Sequence, residues 1–285
     1  MSGPRQTTVT AVGAQAARFD FARAASLLTD AACRAGAAIM AHYLKAAPVE
    51  LKGDMSPVTC ADRDSEAVIL EALALLAPDI PVVSEESCGT SIGPLPDRFF
   101  LVDPLDGTKE FIKQRTDFTV NIALIEHGRP SFGLVYAPAR SLLAVTIAPD
   151  EAVEAELPPS ASGADLNRLP QKRLQARAPQ GTGLTALVSA SHLDPATEAF
   201  LAKLKITQRS GLGSSVKFLA IAKGEADVYP RFAPTMEWDT AAGQAVLEAA
   251  GGVVVDAEGA PLRYGKTQTG LRNPSFIAWG AGGAR

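Results

Sequence analysis

The stretch RFFLVDPLDGTKEF, residues 98–111, decides how the middle of this chain folds. Residues 98–103 are mostly apolar, which predicts a buried strand ending at Asp103. Asp106 follows across a proline and a leucine, and Gly107 permits a tight reversal directly after it. We therefore expect both carboxylates on one rigid turn at the end of the strand.

A turn that carries two carboxylates is a candidate cation site. Like charges this close repel each other strongly unless a cation lies between them. Mg²⁺ prefers hard oxygen ligands, and the main-chain carbonyl of Leu105 is a further candidate beside Asp103 and Asp106. Taken alone, the same turn is equally typical of an ordinary loop with Asx-type hydrogen bonds.

Two further acids stand at comparable places. Glu85 directly follows the apolar strand predicted at residues 80–84, and Asp239 lies at the mouth of a predicted helix. Taken singly, Glu85-Glu86 would usually be a solvated turn, and Asp239 would more often be a helix cap worth about 0.3–1 kcal/mol. Together they favour a metal site, because each acidic loop interrupts an otherwise apolar context.

Around these acids the pattern predicts two lobes. We expect a loose leader at 1–18, an α+β lobe with an antiparallel sheet at 19–150, a surface excursion at 151–183 and an α/β lobe at 184–285. The first lobe is predicted to hold helices at 19–43 and from Thr59 to Pro78, strands at 80–84, 98–103 and 141–148, and a hairpin at 119–138 turning at His127-Gly128. The second is predicted to hold strands at 185–190, 226–230, 252–256 and 275–279, helices at 194–204, 216–224 and 238–250, and a loop at 210–215. Since Asp239 belongs to the second lobe, the site should lie where the lobes meet.

Composition narrows the class of protein. The chain has 285 residues, of which 47% are hydrophobic, enough for a substantial core. A net charge of -4 gives no sign of a nucleic-acid-binding face. Three cysteines without C-x-x-C spacing favour a reducing cytoplasm over a disulfide framework or a zinc site. The sequence shows no signal peptide and no integral membrane segment.

Four motifs in order resemble the signatures of the inositol monophosphatase superfamily, the lithium-sensitive, magnesium-dependent phosphatases. They are SPVTCAD, VVSEES, LVDPLDGTKEF and EWDTAAGQAVLEAAGG, beginning at residues 56, 82, 101 and 237. The resemblance covers roughly residues 20–280. It implies the layered αβαβα sandwich of the inositol monophosphatase and fructose-1,6-bisphosphatase type of sugar phosphatase, in which α+β and α/β parts are joined.

The resemblance also implies how two or three Mg²⁺ ions are held. Glu85, Asp103 and the Leu105 carbonyl would hold the first ion. Asp103 would bridge to the second, which Asp106 and Asp239 complete. A third, weaker ion would lie near Glu85 and Asp62. The attacking water would be oriented by the catalytic residues, which are Glu85, Thr108 and Asp62.

A finer likeness is to the CysQ-type 3'(2'),5'-bisphosphate nucleotidases of that superfamily. It rests on residues 103–130, on residues 213–243 and on LRNPSF at residues 271–276. It implies hydrolysis of adenosine 3',5'-bisphosphate (PAP) to AMP and phosphate, a reaction of sulfur assimilation. It also implies action on a second substrate, the sulfated relative PAPS.

The substrate is expected to contact two segments, the predicted turn at residues 103–108 and the loop at residues 213–215. Gly107 and Thr108 would donate backbone N–H groups to the phosphate, and the small polar loop at residues 213–215 suits a phosphate or a ribose. Lys217 and Arg231 are the candidates for the 5'-phosphate, although an isolated Lys or Arg is usually a solvated surface charge. The full predicted set of substrate contacts is Glu85, Leu105, Asp106, Gly107, Thr108, Gly213, Ser214, Ser215, Lys217, Arg231 and Asp239.

Two alternatives stay open from the sequence. One is a phosphatase of the same fold that acts on inositol monophosphate or another sugar phosphate. The other is a sensor that binds PAP without hydrolysing it, which would not need so many paired carboxylates. The sequence also leaves open a monomer or a homodimer, and peripheral association with the inner membrane.

Overall fold

The computed structural model describes residues 19–45, 49–51, 57–89, 92–166, 168–179, 183–189 and 194–283. The leader predicted at residues 1–18 lies outside them. In this part of the chain the helices are α1 Phe21–Tyr43, α2 Cys60–Leu76, α3 Thr108–Ile112, α4 Gly163–Leu166, α5 Pro195–Leu201, α6 Val216–Ala222 and α7 Glu237–Ala249. The strands are β1 Val49–Leu51, β2 Pro57–Thr59, β3 Val82–Ser84, β4 Arg98–Asp106, β5 Thr119–Glu126, β6 Arg129–Ala137, β7 Leu142–Ala148, β8 Glu151–Glu156, β9 Lys172–Arg173, β10 Leu184–Ser189, β11 Ile206–Leu212, β12 Val228–Arg231, β13 Val253–Asp256 and β14 Phe276–Trp279.

The strand that carries Asp103 and Asp106, β4, lies near one edge of the large sheet. Among the described residues this sheet runs in the order β3-β4-β5-β6-β7-β8-β9. β3 pairs with β4 in parallel, and the later neighbours pair antiparallel. The predicted hairpin is confirmed as β5 and β6, whose turn residues His127 and Gly128 both have positive φ, as tight hairpins favour. The parallel first pair places the carboxyl ends of β3 and β4 side by side.

Helices α1 and α2 cover one face of the large sheet. The carboxylate of Asp20 caps α1 by accepting from the backbone N–H of Arg23 at 3.0 Å. Apolar side chains of both helices form one hydrophobic cluster with sheet residues such as Phe100, Ile122 and Leu134. Burial of this apolar surface is what fixes the helices to the sheet.

Helices α6 and α7 lie between the large sheet and a small sheet ordered β11-β10-β12-β14-β13. One cluster joins Leu101 and Val135 of the large sheet to Leu219 of α6, Val246 of α7 and Phe276 of the small sheet. Helix α5 packs on the far face of the small sheet in a separate cluster. The layers confirm the αβαβα sandwich that the sequence resemblance implies.

Two segments differ from expectation. Residues 151–156, in the predicted excursion, form β8 of the large sheet, and residues 172–173 form β9. Glutamate and alanine favour strands poorly, and pairing with β7 overrides that weak preference. Residues 210–212, predicted as loop, belong to β11, an edge strand whose exposed polar residues show no apolar alternation. The division into lobes stays a prediction.

Candidate active site

β4 ends in a bulge that presents both acids of the central motif. Asp103 and Asp106 lie three residues apart on β4, yet their partners on β5 lie two apart. Pro104 accounts for this break, because it has no N–H to donate to the ladder. The N–H of Leu105 instead donates to Asp103 Oδ1 at 3.0 Å. The prediction that the strand ends at Asp103 and that a turn carries both acids was therefore wrong: β4 continues to Asp106, and a bulge within it presents the two carboxylates.

Thr108 begins α3 just after a glycine in the left-handed conformation. Gly107 has φ of 90°, and a Cβ at that position would lie 2.9 Å from the carbonyl oxygen of Asp117, so a side chain is excluded. Thr108 Oγ1 lies 3.2 Å from the Leu105 carbonyl oxygen and 3.4 Å from Asp62 Oδ1. The structure thus brings together two of the three residues predicted to orient water, Thr108 and Asp62.

Asp62 is held by the capping box at the start of α2. The N–H and the hydroxyl of Thr59 both donate to Asp62 Oδ2, at 2.8 and 2.7 Å. Asp62 is buried, and Oδ1 is the oxygen that faces Thr108. The same acid therefore caps a helix and borders the site.

Three of the predicted acids converge. Glu85, Asp103 and Asp239 each offer a carboxylate oxygen, and these oxygens lie within 4.8 Å of one another. Glu85 follows β3, and its N–H donates to the Val102 carbonyl of the parallel neighbour β4 at 3.1 Å. Asp239 lies in the first turn of α7, where its Oδ2 accepts from the N–H of Met236 at 2.8 Å. We call these three the acidic triad.

The acidic triad is electrostatically unfavourable without a cation. Burial raises the pKa of Asp103 well above its ordinary value, and the charges of Glu85, Asp106 and Asp239 raise it further. Burial also raises the pKa of Asp239, again with help from the neighbouring acids. A set of hard carboxylate oxygens crowded in this way suits a divalent cation such as Mg²⁺. The expected partition of Glu85 and Asp239 between two ions stays a prediction, since both reach the same point beside Asp103.

Asp106 lies beside the acidic triad and is engaged by the loop before α6. Its Oδ2 accepts from Ser214 Oγ at 2.6 Å and from the N–H of Ser215 at 2.9 Å. Burial raises the pKa of Asp106, which the hydrogen bond from Ser214 opposes. Ser215 Oγ donates to the main-chain carbonyl of Asp239 at 2.8 Å. The two serines therefore join the bulge of β4 to the first turn of α7, and their contact with substrate stays a prediction.

Lys217 is not the solvated charge that an isolated lysine usually is. It is only 5% exposed, and Nζ donates to the carbonyls of Ser214 at 2.7 Å and of Leu212 at 3.3 Å. Nζ also lies 5.0 Å from the centroid of the Tyr229 ring. Burial lowers the pKa of Lys217 to about 8, although the charge of Asp106 opposes that shift.

Arg231 borders the same cavity as Lys217. Its guanidinium donates to the carbonyls of Ala233 at 3.1 Å and of Pro234 at 3.4 Å, so the turn after β12 fixes its direction. Arg231, Lys217 and Asp239 line one cavity of about 110 Å³. Acids and cations therefore face a common space, an arrangement that suits a ligand with two separate anionic groups.

Residues that the sequence reasoning missed hold the start of α7. Asn273 Nδ2 donates to the Met236 carbonyl at 2.8 Å and to Thr240 Oγ1 at 2.9 Å. Glu237 is fully buried and accepts from two backbone N–H groups, at 2.6 and 2.9 Å, in the loop at residues 265–266. The sequence signal for both is their position in stretches that resemble the family: Asn273 lies in LRNPSF, and Glu237 begins EWDTAAGQAVLEAAGG.

Asn121, on β5, is a second residue that was missed. Its Nδ2 donates to Ser215 Oγ at 3.1 Å and lies 3.5 Å from Asp106 Oδ2. Asn121 is buried, and Thr119 Oγ1 donates to its Oδ1 at 3.0 Å. Since its partners lie about fifteen and ninety-four residues away, no local pattern indicates this role.

Comparison with known proteins decides the family. A profile described as the inositol monophosphatase family matches residues 21–279. The chain belongs to the inositol monophosphatase family. Members are metal-dependent phosphatases, so the chain is a phosphoric ester hydrolase, and the acidic triad lies where three of that family's predicted motifs meet.

Individual members of the family are similar to this chain in sequence and in structure. The chain is 45% identical over 245 residues to the 3'(2'),5'-bisphosphate nucleotidase CysQ of Shigella flexneri, an alignment covering 85% of this chain and 94% of the relative. The protein of the same name from Salmonella typhimurium is 44% identical with the same coverage. The crystal structure of CysQ from Bacteroides thetaiotaomicron has a TM-score of 0.73 at 35% identity, covering 92% of this chain and 99% of that one. The structure of SuhB from Bartonella henselae has a TM-score of 0.68 at 25% identity, covering 89% and 92%.

The described residues contain no helix both long and apolar enough to cross a membrane.

Proposed function

We propose that this chain is a Mg²⁺-dependent 3'(2'),5'-bisphosphate nucleotidase that hydrolyses PAP to AMP and phosphate, with PAPS as a second substrate. The observation that carries the proposal is the shared cavity, in which the acid Asp239 faces Lys217 and Arg231. A bisphosphate substrate needs both acids and cationic side chains. The acids hold the metal ions at the phosphate that is cleaved, and the cationic side chains bind the phosphate that is not. Curated relatives that carry the name of this activity support the assignment.

The acids would hold the cations. Two Mg²⁺ ions, with a third weaker one near Glu85 and Asp62, follow from the family likeness. Asp103, whose carboxylate oxygen lies within 4.8 Å of those of Glu85 and Asp239, would be the ligand shared by two ions. The Leu105 carbonyl and Asp106 complete the proposed ligand set. Divalent cations in such a site neutralise the phosphate, lower the pKa of water and stabilise the leaving oxygen.

Other residues would position the reactants. Thr108 Oγ1, close to Asp62 Oδ1, would orient the attacking water together with Glu85. The backbone N–H groups of Gly107 and Thr108 would donate to the phosphate being cleaved. Lys217 and Arg231 would bind the 5'-phosphate, Arg231 with a planar fork that matches a phosphate edge. No covalent phospho-enzyme is required.

We further propose a cytoplasmic enzyme, monomeric or homodimeric. Cys33, Cys60 and Cys88 are all free thiols, which a reducing compartment preserves. A cytoplasmic enzyme of this kind could in addition associate peripherally with the inner membrane, which fractionation of cells would detect.

The proposal is tested by comparing substrates. We expect kcat/KM for phosphate release to be highest with PAP, lower with 3'-AMP, which lacks the 5'-phosphate, and lowest with inositol 1-phosphate. The comparison of PAP with 3'-AMP isolates the contribution of the second phosphate, because the two nucleotides are otherwise the same. Faster cleavage of the inositol ester would contradict the substrate assignment. Tight binding of PAP without phosphate release in Mg²⁺ would indicate a sensor instead.

A further inference from the structure

A partly buried acid, Asp117, lies just outside the proposed catalytic set. Asp117 lies in the short segment before β5, and its side chain is 14% exposed. Its Oδ2 accepts from the backbone N–H of Gly213 at 2.8 Å, and its Oδ1 accepts from the guanidinium of Arg140. Asp117 therefore bonds the loop before α6 with one oxygen and is held in place through the other.

The backbone packs closely against Asp117 on two sides. A Cβ at Gly213 would lie 2.8 Å from Asp117 Cβ, and a Cβ at Gly107 would lie 2.9 Å from the Asp117 carbonyl oxygen. Such distances are shorter than real Cβ contacts allow, so both glycines let backbones approach this residue. Asp117 thus lies between two segments: Gly107 and Thr108, whose N–H groups are proposed to donate to the phosphate, and the loop at residues 213–215.

The loop that Asp117 holds is the one that holds Asp106. Directly after Gly213, Ser214 Oγ and the N–H of Ser215 donate to Asp106 Oδ2. We propose that Asp117, oriented by Arg140, is a positioning residue that fixes this loop and through it the direction in which Asp106 presents its carboxylate to the cation. The role of Asp106 as a metal ligand rests on the proposed function.

The two oxygens of Asp117 make separable contributions. Asn at this position keeps an oxygen acceptor for the N–H of Gly213 but loses the ion pair with Arg140. Ala loses both contacts and leaves the buried N–H of Gly213 without its acceptor, which is costly. Partners that orient metal ligands typically alter metal affinity by about 10–100-fold when they are removed. The inference therefore predicts a graded series in which Ala is more severe than Asn.

The test measures Mg²⁺ binding by calorimetry on the full-length chain without substrate, beside kcat and KM for PAP. We expect Asp117→Ala to weaken Mg²⁺ binding by about 10-fold or more and to lower kcat, with Asp117→Asn intermediate. Arg140→Gln should act in the same direction as Asp117→Asn. The double variant Asp117→Asn with Arg140→Gln should bind Mg²⁺ no more weakly than the weaker of the two single variants, because both substitutions break the same ion pair between Asp117 and Arg140. Glu71→Ala breaks a surface ion pair with Arg34 on the outer helices and should change neither Mg²⁺ affinity nor kcat.

A lower melting temperature with unchanged Mg²⁺ affinity in Asp117→Ala would overturn the inference, since that is the signature of a merely structural role. If Asp117→Ala does not fold, Asp117→Asn and Arg140→Gln decide, and wild-type Mg²⁺ affinity in both would overturn it. The proposed function fails separately. A wild-type chain that binds Mg²⁺ but does not release phosphate from PAP would refute the activity, and the calorimetric series would still test Asp117.

Discussion

At the scale of single residues, Asp103 is a buried acid surrounded by other acids. It is 1% exposed, and the nearby acids Glu85, Asp106, Asp239 and Asp62 all raise its pKa in addition to the effect of burial. A residue with these neighbours is unfavourable for folding, and a bound cation reverses that balance because it binds the folded state alone. This cost to folding agrees with the proposed role of Asp103 as a metal ligand.

Asp103→Asn should lower turnover of PAP by several orders of magnitude, because the amide cannot bridge two cations as a carboxylate does. The melting temperature of the metal-free variant should not fall, since one of the crowded charges has gone. Phosphate release and thermal unfolding measure the two effects. Asp150→Asn, which changes an exposed turn residue, is the matched control and should leave both unchanged. Turnover retained in Asp103→Asn would exclude the assignment.

Lys217 gives the site a predictable pH dependence. Its pKa of about 8 lies below the ordinary lysine value of 10.5, so the free enzyme loses this positive charge as the pH rises through about 8. The kcat/KM for PAP, which reports groups of the free enzyme, should therefore decline above that pH. With 3'-AMP the decline should be absent, because no 5'-phosphate needs the charge. The same decline with both substrates would place the titrating group elsewhere.

The sequence predicts the acids better than it predicts their supports. Glu85 and Asp103 are visible because each follows an apolar run, and Asp239 because it sits at a helix start. Asn121 and Asp117 are invisible by the same reasoning, since their hydrogen bonds join segments about ninety residues apart. A lone Asn or Asp beside a strand is too common to indicate a function without its partner.

At the scale of elements, the site depends on how closely α6 approaches α7. The loop before α6 carries Ser215, which bonds the Asp239 carbonyl in the first turn of α7. Farther along α7, a Cβ at Gly243 would lie 2.5 Å from Phe218 Cδ2 of α6. The two helices can therefore lie this close because Gly243 has no side chain, and their separation sets the distance between the loop and Asp239.

Gly243→Ala should push the two helices apart. We expect a loss of about 1–3 kcal/mol in the free energy of unfolding, as for other overpacked cores, together with lower kcat as the Ser215 contact lengthens. Denaturant unfolding and PAP turnover would measure the two. Gly93→Ala adds its methyl group in open space and should be nearly neutral. Wild-type stability in Gly243→Ala would show that the core accommodates the methyl group.

Elements with strong apolar periodicity were predictable, and those that rely on pairing were not. β4, β5 and β6 carry long buried runs, and each was predicted. β8 and β11 form because a neighbouring strand offers free hydrogen-bonding groups, although their own residues favour strands poorly. Tertiary pairing thus decides the cases in which local preference is weak.

At the scale of the whole molecule, the layered order explains where the site lies. The acidic triad takes Glu85 from the end of β3, Asp103 from the bulge in the parallel neighbour β4, and Asp239 from α7, in the helical layer between the sheets. The cationic side chains Lys217 and Arg231 come from α6 and the small sheet. The large sheet therefore contributes most of the proposed metal ligands, and the second half of the chain contributes the proposed 5'-phosphate contacts.

The acidic triad is proposed to hold a catalytic cation. Anomalous diffraction from crystals soaked in Mn²⁺, used as a heavier substitute for Mg²⁺, locates the cation directly. We expect a strong anomalous peak bound by carboxylate oxygens of Glu85, Asp103 and Asp239, and its loss in crystals of Asp103→Asn. If the enzyme hydrolyses PAP with Mn²⁺ in solution but its crystals show no peak among these three carboxylates, the catalytic cation does not bind at the acidic triad.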